Sequence, residues 1–108
     1  MKHDDAVLHV RGEAHYVRDL ALPQGTLFAA PVPSPLAHGK IRRLDPSAAT
    51  ALGGVIAVFT ARDVAGQNEI GNIIPDEPLL AVDEVDYAGQ PLALVVAEGP
   101  EAAAPAGR

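Results

Sequence analysis

Residues 53–60 read Gly-Gly-Val-Ile-Ala-Val-Phe-Thr, and this stretch decides the fold. Val55–Phe59 is five apolar residues in a row, mostly β-branched or aromatic, a composition that suits a pleated strand. Glycine precedes it and Thr60 follows, so it reads as a short strand buried on both faces. Leu92–Ala97 (LALVVA) reads as a second buried strand, entered through the turn Gly89-Gln90-Pro91.

Upstream, Asp45-Pro46-Ser47 is a helix start, with Asp capping free N–H groups and Pro at the first helical position. That helix is expected over Pro46–Leu52, stopped by Gly53–Gly54. Gly39–Leu44 (GKIRRL) is expected as a short strand with Ile41 turned inward. Thr26–Ala30 (TLFAA) is another, and Pro31, Pro33 and Pro35 place its end at a sheet edge or out of the sheet. Ala6–Tyr16 alternates weakly and is interrupted by Gly12, which gives an extended N-terminal arm leading into a turn.

Downstream, Ala61–Val64 is read as one helical turn. Residues 65–80 then form a long loop with two Gly, two Pro and six acid or amide side chains, around an apolar pair Ile73–Ile74. A loop of this length within one domain is commonly functional or disordered. Val82–Tyr87 is expected as a short strand with Val85 and Tyr87 on one face. Pro100–Ala104 opens like a helix that Pro105 and Gly107 stop at once.

At 108 residues the chain is one domain, 1–108, with an arm at 1–11 and a terminal helix and tail at 100–108. Hydrophobic residues at 48% and charged residues at 20% exclude a disordered chain. Ten Gly and ten Pro favour many turns between short elements over a long-helix bundle. The net charge of −6 argues against nucleic acid or an anionic membrane surface as partner. Charge is also uneven: residues 1–62 carry seven Lys/Arg against five Asp/Glu, whereas 63–107 carry nine Asp/Glu and no Lys or Arg. That acidic half is a solvated face or a surface for a basic neighbour. The absence of Cys removes disulfides, thiolate nucleophiles and Fe–S ligation from this chain and fits a reducing compartment. No targeting segment is visible, and no apolar run approaches the ~20 residues of a membrane span, so a cytoplasmic location is expected.

Chemistry-bearing motifs are sparse. His3, His9, His15 and His38 are scattered, and the weak metal grouping His3, Asp4, Asp5 and His9 competes with a frayed N-terminus. Asp76–Glu77 and Asp83, Glu84 and Asp86 are carboxylates suited to a hard cation, without the spacing of a calcium loop. Ser34 and Ser47 each sit beside a proline with no recognisable base. His38 is expected to cap a turn or bond a carbonyl. Tyr16 and Tyr87 are expected at domain edges with wet hydroxyls. The residues themselves therefore describe a domain of mixed α and β structure without a catalytic centre of its own.

Five segments in order add a resemblance. Gly12–Asp19 fits G-x-A-x-Y-x-x-D, Ser34–Ile41 fits S-P-x-A-H-[AG]-x-I, and Gly54–Val64 fits G-V-x-A-V-x-T-x-x-D-[VI]. Asp76–Ala81 (DEPLLA) and Val85–Pro91 (VDYAGQP) complete the set. Together they resemble the α/β-hammerhead domain of the molybdopterin-binding large subunit of xanthine dehydrogenase and aldehyde oxidase. The resemblance implies an α+β fold: a small mixed sheet of short strands with one or two short helices. It implies a structural and substrate-access role in a molybdenum hydroxylase acting on purines, aldehydes or N-heterocycles. Molybdopterin-bound Mo, Fe–S clusters and FAD would belong to the full enzyme, with none of them and no catalytic residue held by this chain. The implied partners are the remaining domains of the large subunit and the Fe–S/FAD subunit. The tail PEAAAPAGR, where the family continues with more helix and a strand, suggests a truncated or separately made fragment that self-associates in isolation.

By the same resemblance the loop at 69–77 runs near the mouth of a substrate funnel, and Asn72, Ile73 and Ile74 are candidates for lining it. The competing role for Ile73 and Ile74 is to pin the loop onto its own core. The contrasting function is a stand-alone interaction or small-ligand-binding module with the same fold and no redox activity.

Overall fold

A computed structural model describes residues 5–106 of the chain. Its elements are α1 (Ala6–Arg11), β1 (Phe28–Pro33), β2 (Gly39–Lys40), α2 (Ser47–Thr50), β3 (Val55–Thr60), β4 (Glu84–Val85), β5 (Pro91–Ala97) and α3 (Pro100–Ala106). Single 3₁₀ turns cover Val17–Asp19 and Ala61–Asp63. The strands form a three-stranded sheet in the order β1-β5-β3 and a two-stranded ribbon, β2-β4, and every pairing is antiparallel.

β5 is the centre of the sheet. Ala93, Val95 and Ala97 alternate inward and are buried, and α3 packs across this face with Ala103 buried against it. The small residues let helix and sheet approach closely. Gly54, at φ +86°, sits under that helix, and a Cβ there would lie 3.1 Å from the Ala102 Cβ. Leu80, Ala81 and Val85 continue the core towards the ribbon.

β3 spans the predicted strand and Thr60, but it is not buried on both faces. It lies at the sheet edge, with Ile56 52% and Phe59 43% exposed. An apolar run marks a strand without telling a central position from an edge. β1 starts at Phe28, later than expected, because Thr26 is held in a turn by its N–H and hydroxyl bonds to Pro23 O. It also runs on through Pro31 and Pro33. Both lack an N–H, and β1 occupies an edge as that requires.

The expected extended arm is instead helical over Ala6–Arg11. Gly12, left-handed at φ +70°, closes it: Gly12 N–H reaches His9 O and Glu13 N–H reaches Leu8 O. Gly12 is thus a helix stop rather than a break in a strand. The expected strand Gly39–Leu44 pairs only over Gly39–Lys40, with one further bond from Ile41 N–H to Asp83 O. Likewise Val82–Tyr87 narrows to Glu84–Val85; Val85 is buried, while Tyr87 lies beyond the strand and is 47% exposed. α2 is shorter than Pro46–Leu52, and Pro46 stands just ahead of the helix rather than at its first position; Asp45, one residue further out, still accepts the Ser47 N–H at 3.1 Å. α3 is not halted at Pro105 but ends one residue past it, at Ala106.

Candidate functional site

The loop over residues 65–80 is built on two polar clamps. Asn68 binds both sides of one residue: its Oδ1 accepts Leu80 N–H at 2.9 Å and its Nδ2 donates to Leu80 O at 2.7 Å. Leu80 is buried, which ties the base of the loop to the core. Glu69 closes the neck, its Oε1 accepting from Gly71 N–H at 2.8 Å and Glu77 N–H at 3.0 Å. Ile70 N–H adds a bond to Glu77 O at 2.9 Å. Gly71 is the residue the bend requires, because a Cβ there would fall 2.0 Å from Ile74 O.

These clamps push the tip outward. Ile73 is 93% and Ile74 64% exposed, and Asn72 beside them is exposed. Neither isoleucine pins the loop to this chain's core, so the competing role expected for them is overturned. Asn68 and Glu69 were not singled out in the sequence. The signal available was only an amide and an acid at the loop's start, since their partners are backbone groups up to 12 residues away.

A second feature is the sheet face opposite α3. Pro31 and Phe59 both sit beside Leu94 in register, and with Val64, Leu79 and Leu80 they line an open trough of about 390 Å³ almost without polar groups. Asp63, at its margin, is turned to the backbone. Its Oδ2 accepts Thr60 N–H at 2.7 Å and the Thr60 hydroxyl at 2.8 Å, and these bonds, the backbone one foremost, hold its pKa below the ordinary carboxylate value. Asp45 is lowered in the same way, first by the Ser47 hydroxyl, then by Ser47 N–H and Arg43.

The remaining candidates have structural duties. Ser34 is buried; its Oγ accepts Leu36 N–H and donates to Leu36 O, and its backbone joins the turn through Gln90 O and Gly89 N–H. Gln90, 1% exposed, accepts Asp86 N–H at 2.7 Å. Among the described residues His38 neither caps a turn nor meets a carbonyl; its Nε2 lies 3.3 Å from Glu84 Oε1. Of the carboxylates considered for a cation, Glu84 and Asp86 come within 4.8 Å of each other and of His38, all exposed. Lys40, opposite Glu84 in the ladder, brings a positive charge to the same place. His3 and Asp4 lie outside the described residues. Tyr16 is exposed at the domain edge, as expected, its ring tilted against His9.

A family model described as "Aldehyde oxidase and xanthine dehydrogenase, a/b hammerhead domain" matches residues 11–108. The chain belongs to this family. As a hammerhead domain it is 44% identical over 96 residues to xanthine dehydrogenase 1 of Arabidopsis thaliana, covering 89% of this chain and 7% of that protein. It is 39% identical over 98 residues to the xanthine dehydrogenase of Dictyostelium discoideum, covering 91% of this chain and 7% of the relative. Among solved structures it superposes on the aldehyde oxidoreductase from Desulfovibrio desulfuricans with a TM-score of 0.87 at 30% identity. That match covers 97% of this chain and 13% of the other. The CO dehydrogenase from Oligotropha carboxidovorans gives 0.85 at 35%, over 99% and 14% of the two chains. The hammerhead domain thus spans a small fraction of the proteins it matches, and its small antiparallel sheet with short helices is their fold. No helix among the described residues is long and apolar enough to cross a membrane.

Proposed function

We propose that this hammerhead domain is an architectural piece of a molybdenum hydroxylase large subunit. It packs on the domains that hold the reactive centre and borders the path of the substrate. The observation that carries this reading is surface area. The chain exposes 8565 Å², whereas a compact monomer of its 11.2 kDa exposes about 5,700 Å². The surplus of about 2,900 Å² on this one side is at or above the roughly 1,000–2,500 Å² that each partner of a permanent interface buries. The radius of gyration, 18.3 Å against about 13 Å for a compact chain of this length, agrees. Much of the excess is apolar: Val10 and Val17 in the N-terminal stretch are 89% and 86% exposed, and the trough over Leu94 stands open. An open trough on a sheet favours docking over capture of a small ligand, which needs an enclosed pocket.

In isolation the same surface drives self-association. Held by its neighbours, the domain is one unit over 1–108, and the clamped loop presents Asn72, Ile73 and Ile74 at the mouth of a substrate funnel. Apolar walls of this kind suit a planar heterocycle or an aldehyde. Molybdopterin, Fe–S clusters and FAD would be held by other domains and by an Fe–S/FAD subunit, in a cytoplasmic enzyme. The residues here do not fit such a group: the buried polar side chains Ser34 and Gln90 are committed to turns, and no described buried side-chain N or O is without a partner.

The test places Ile73→Ala and Ile74→Ala together in a complete large subunit assembled with its partners. A rise in KM of several-fold with kcat little changed, differing between substrates of different width, is the expected result. Unchanged KM for all of them would end the access role.

A further inference from the structure

The two edges of the main sheet are unlike. β1 is blunted by Pro31 and Pro33, whereas β3 carries neither proline nor charge from Val55 to Thr60. Among the described residues β3 pairs with β5 alone. Its other backbone bonds among the described residues are at its two ends, Val55 N–H to Leu52 O and Thr60 N–H to Asp63 Oδ2. The outward N–H and C=O groups of Ile56–Phe59 therefore form an open template for another strand.

A groove of about 610 Å³ adjoins this strand. Val58 and Thr60 line it from β3, Arg42 and Arg43 from the run after β2, and Arg62 from the turn after β3. Arg43 is paired with Asp45, which leaves Arg42 and Arg62 without an ion pair among the described residues. Of the carboxylates in the groove, Asp63 is committed to Thr60, and only Asp83 stands opposed to the two guanidinium groups.

We propose that the β3 edge and this groove bind an extended acidic segment of a partner polypeptide by strand addition. Its main chain pairs with Ile56–Phe59 and its carboxylates meet Arg42 and Arg62. A second copy of this chain is the poorer occupant, because its own β3 would offer no carboxylate to either arginine. This site adjoins the trough over Leu94 and shares Phe59 and Asp63 with it, but it uses the strand's edge and the two arginines rather than the apolar face, so its failure leaves the docking role standing.

The probe is a short labelled peptide of alternating valine and glutamate, titrated against the 108-residue chain by fluorescence anisotropy. Controls are the valine–lysine peptide and a valine–glutamate peptide N-methylated at alternate residues. The glutamate peptide binds, salt weakens it, and hydrogen exchange at Ile56–Phe59 slows. The double variant Arg42→Gln, Arg62→Gln weakens binding about tenfold, as two exposed ion pairs would. Equal binding of the lysine or N-methylated peptide, or no binding at millimolar peptide, overturns the proposal. So does concentration-dependent protection of Ile56–Phe59 without peptide, which would assign the edge to a second copy.

Discussion

Replacing Asn68 by Ala removes the clamp at the base of the loop and leaves the sheet untouched. The side chain makes two hydrogen bonds, at 2.7 and 2.9 Å, both to the backbone of Leu80. An ordinary hydrogen bond contributes about 1 kcal/mol net, and leaving a buried donor unpaired costs about 1–3 kcal/mol. Leu80 is only 6% exposed, so water replaces the lost partner poorly. The closed loop should lose about 2–3 kcal/mol against its opened form, which is roughly a 30- to 150-fold rise in the open population. Hydrogen exchange read by mass spectrometry then shows amides from Ile70 to Leu80 exchanging faster by that factor, with β5 much less affected. Asn68→Asp keeps the acceptor for Leu80 N–H but turns a carboxylate oxygen towards Leu80 O, so at neutral pH it opens the loop at least as much as Ala does. Unchanged exchange in the loop would refute the clamp; equal acceleration in β5 would show that Asn68 supports the whole fold instead.

Other substitutions test neighbouring points. Gly71→Ala forces a Cβ against Ile74 O, so the bond from Ile70 N–H to Glu77 O is lost and Ile70 exchanges freely, while the urea midpoint moves little. Val95→Ala, at a fully buried position in the central strand, lowers stability by about 2–3 kcal/mol in urea titration. Acid acts through Asp45 and Asp63, whose native pKa values lie below the unfolded ones. The unfolded chain binds protons first, so their stabilisation is complete above about pH 4 and is lost as pH falls through the native values. Asp63→Asn should flatten the fall of the urea midpoint below about pH 4; an unaltered slope would remove Asp63 from that role.

Local chemistry was legible in the sequence where one residue type forces one outcome. The prolines at 31 and 33 placed β1 at an edge, and Asp45-Pro46-Ser47 opened a helix. Val55–Phe59 and Leu92–Ala97 announced their strands because apolar, β-branched runs pack on a pleated sheet. Which of the two is central was not legible, since that depends on pairing between residues some 40 positions apart. Misreading the N-terminal arm has a related cause: Val10 is 89% exposed, so its alternation with polar neighbours reports no buried strand face. The loop was legible as a loop and its apolar tip as a feature. Its shape was not, because Asn68 and Glu69 act on backbone groups, which carry no sequence signature.

The central claim, that this domain is completed by docking its open apolar surface, is tested most directly by hydroxyl-radical footprinting of the 108-residue chain against a complete large subunit. The trough residues Phe59, Leu79 and Leu94 should be labelled in the chain alone, diluted below the concentration at which it self-associates, and shielded several-fold in the subunit, while Ile73 stays labelled in both. Equal labelling of Phe59, Leu79 and Leu94 in the two would contradict the account.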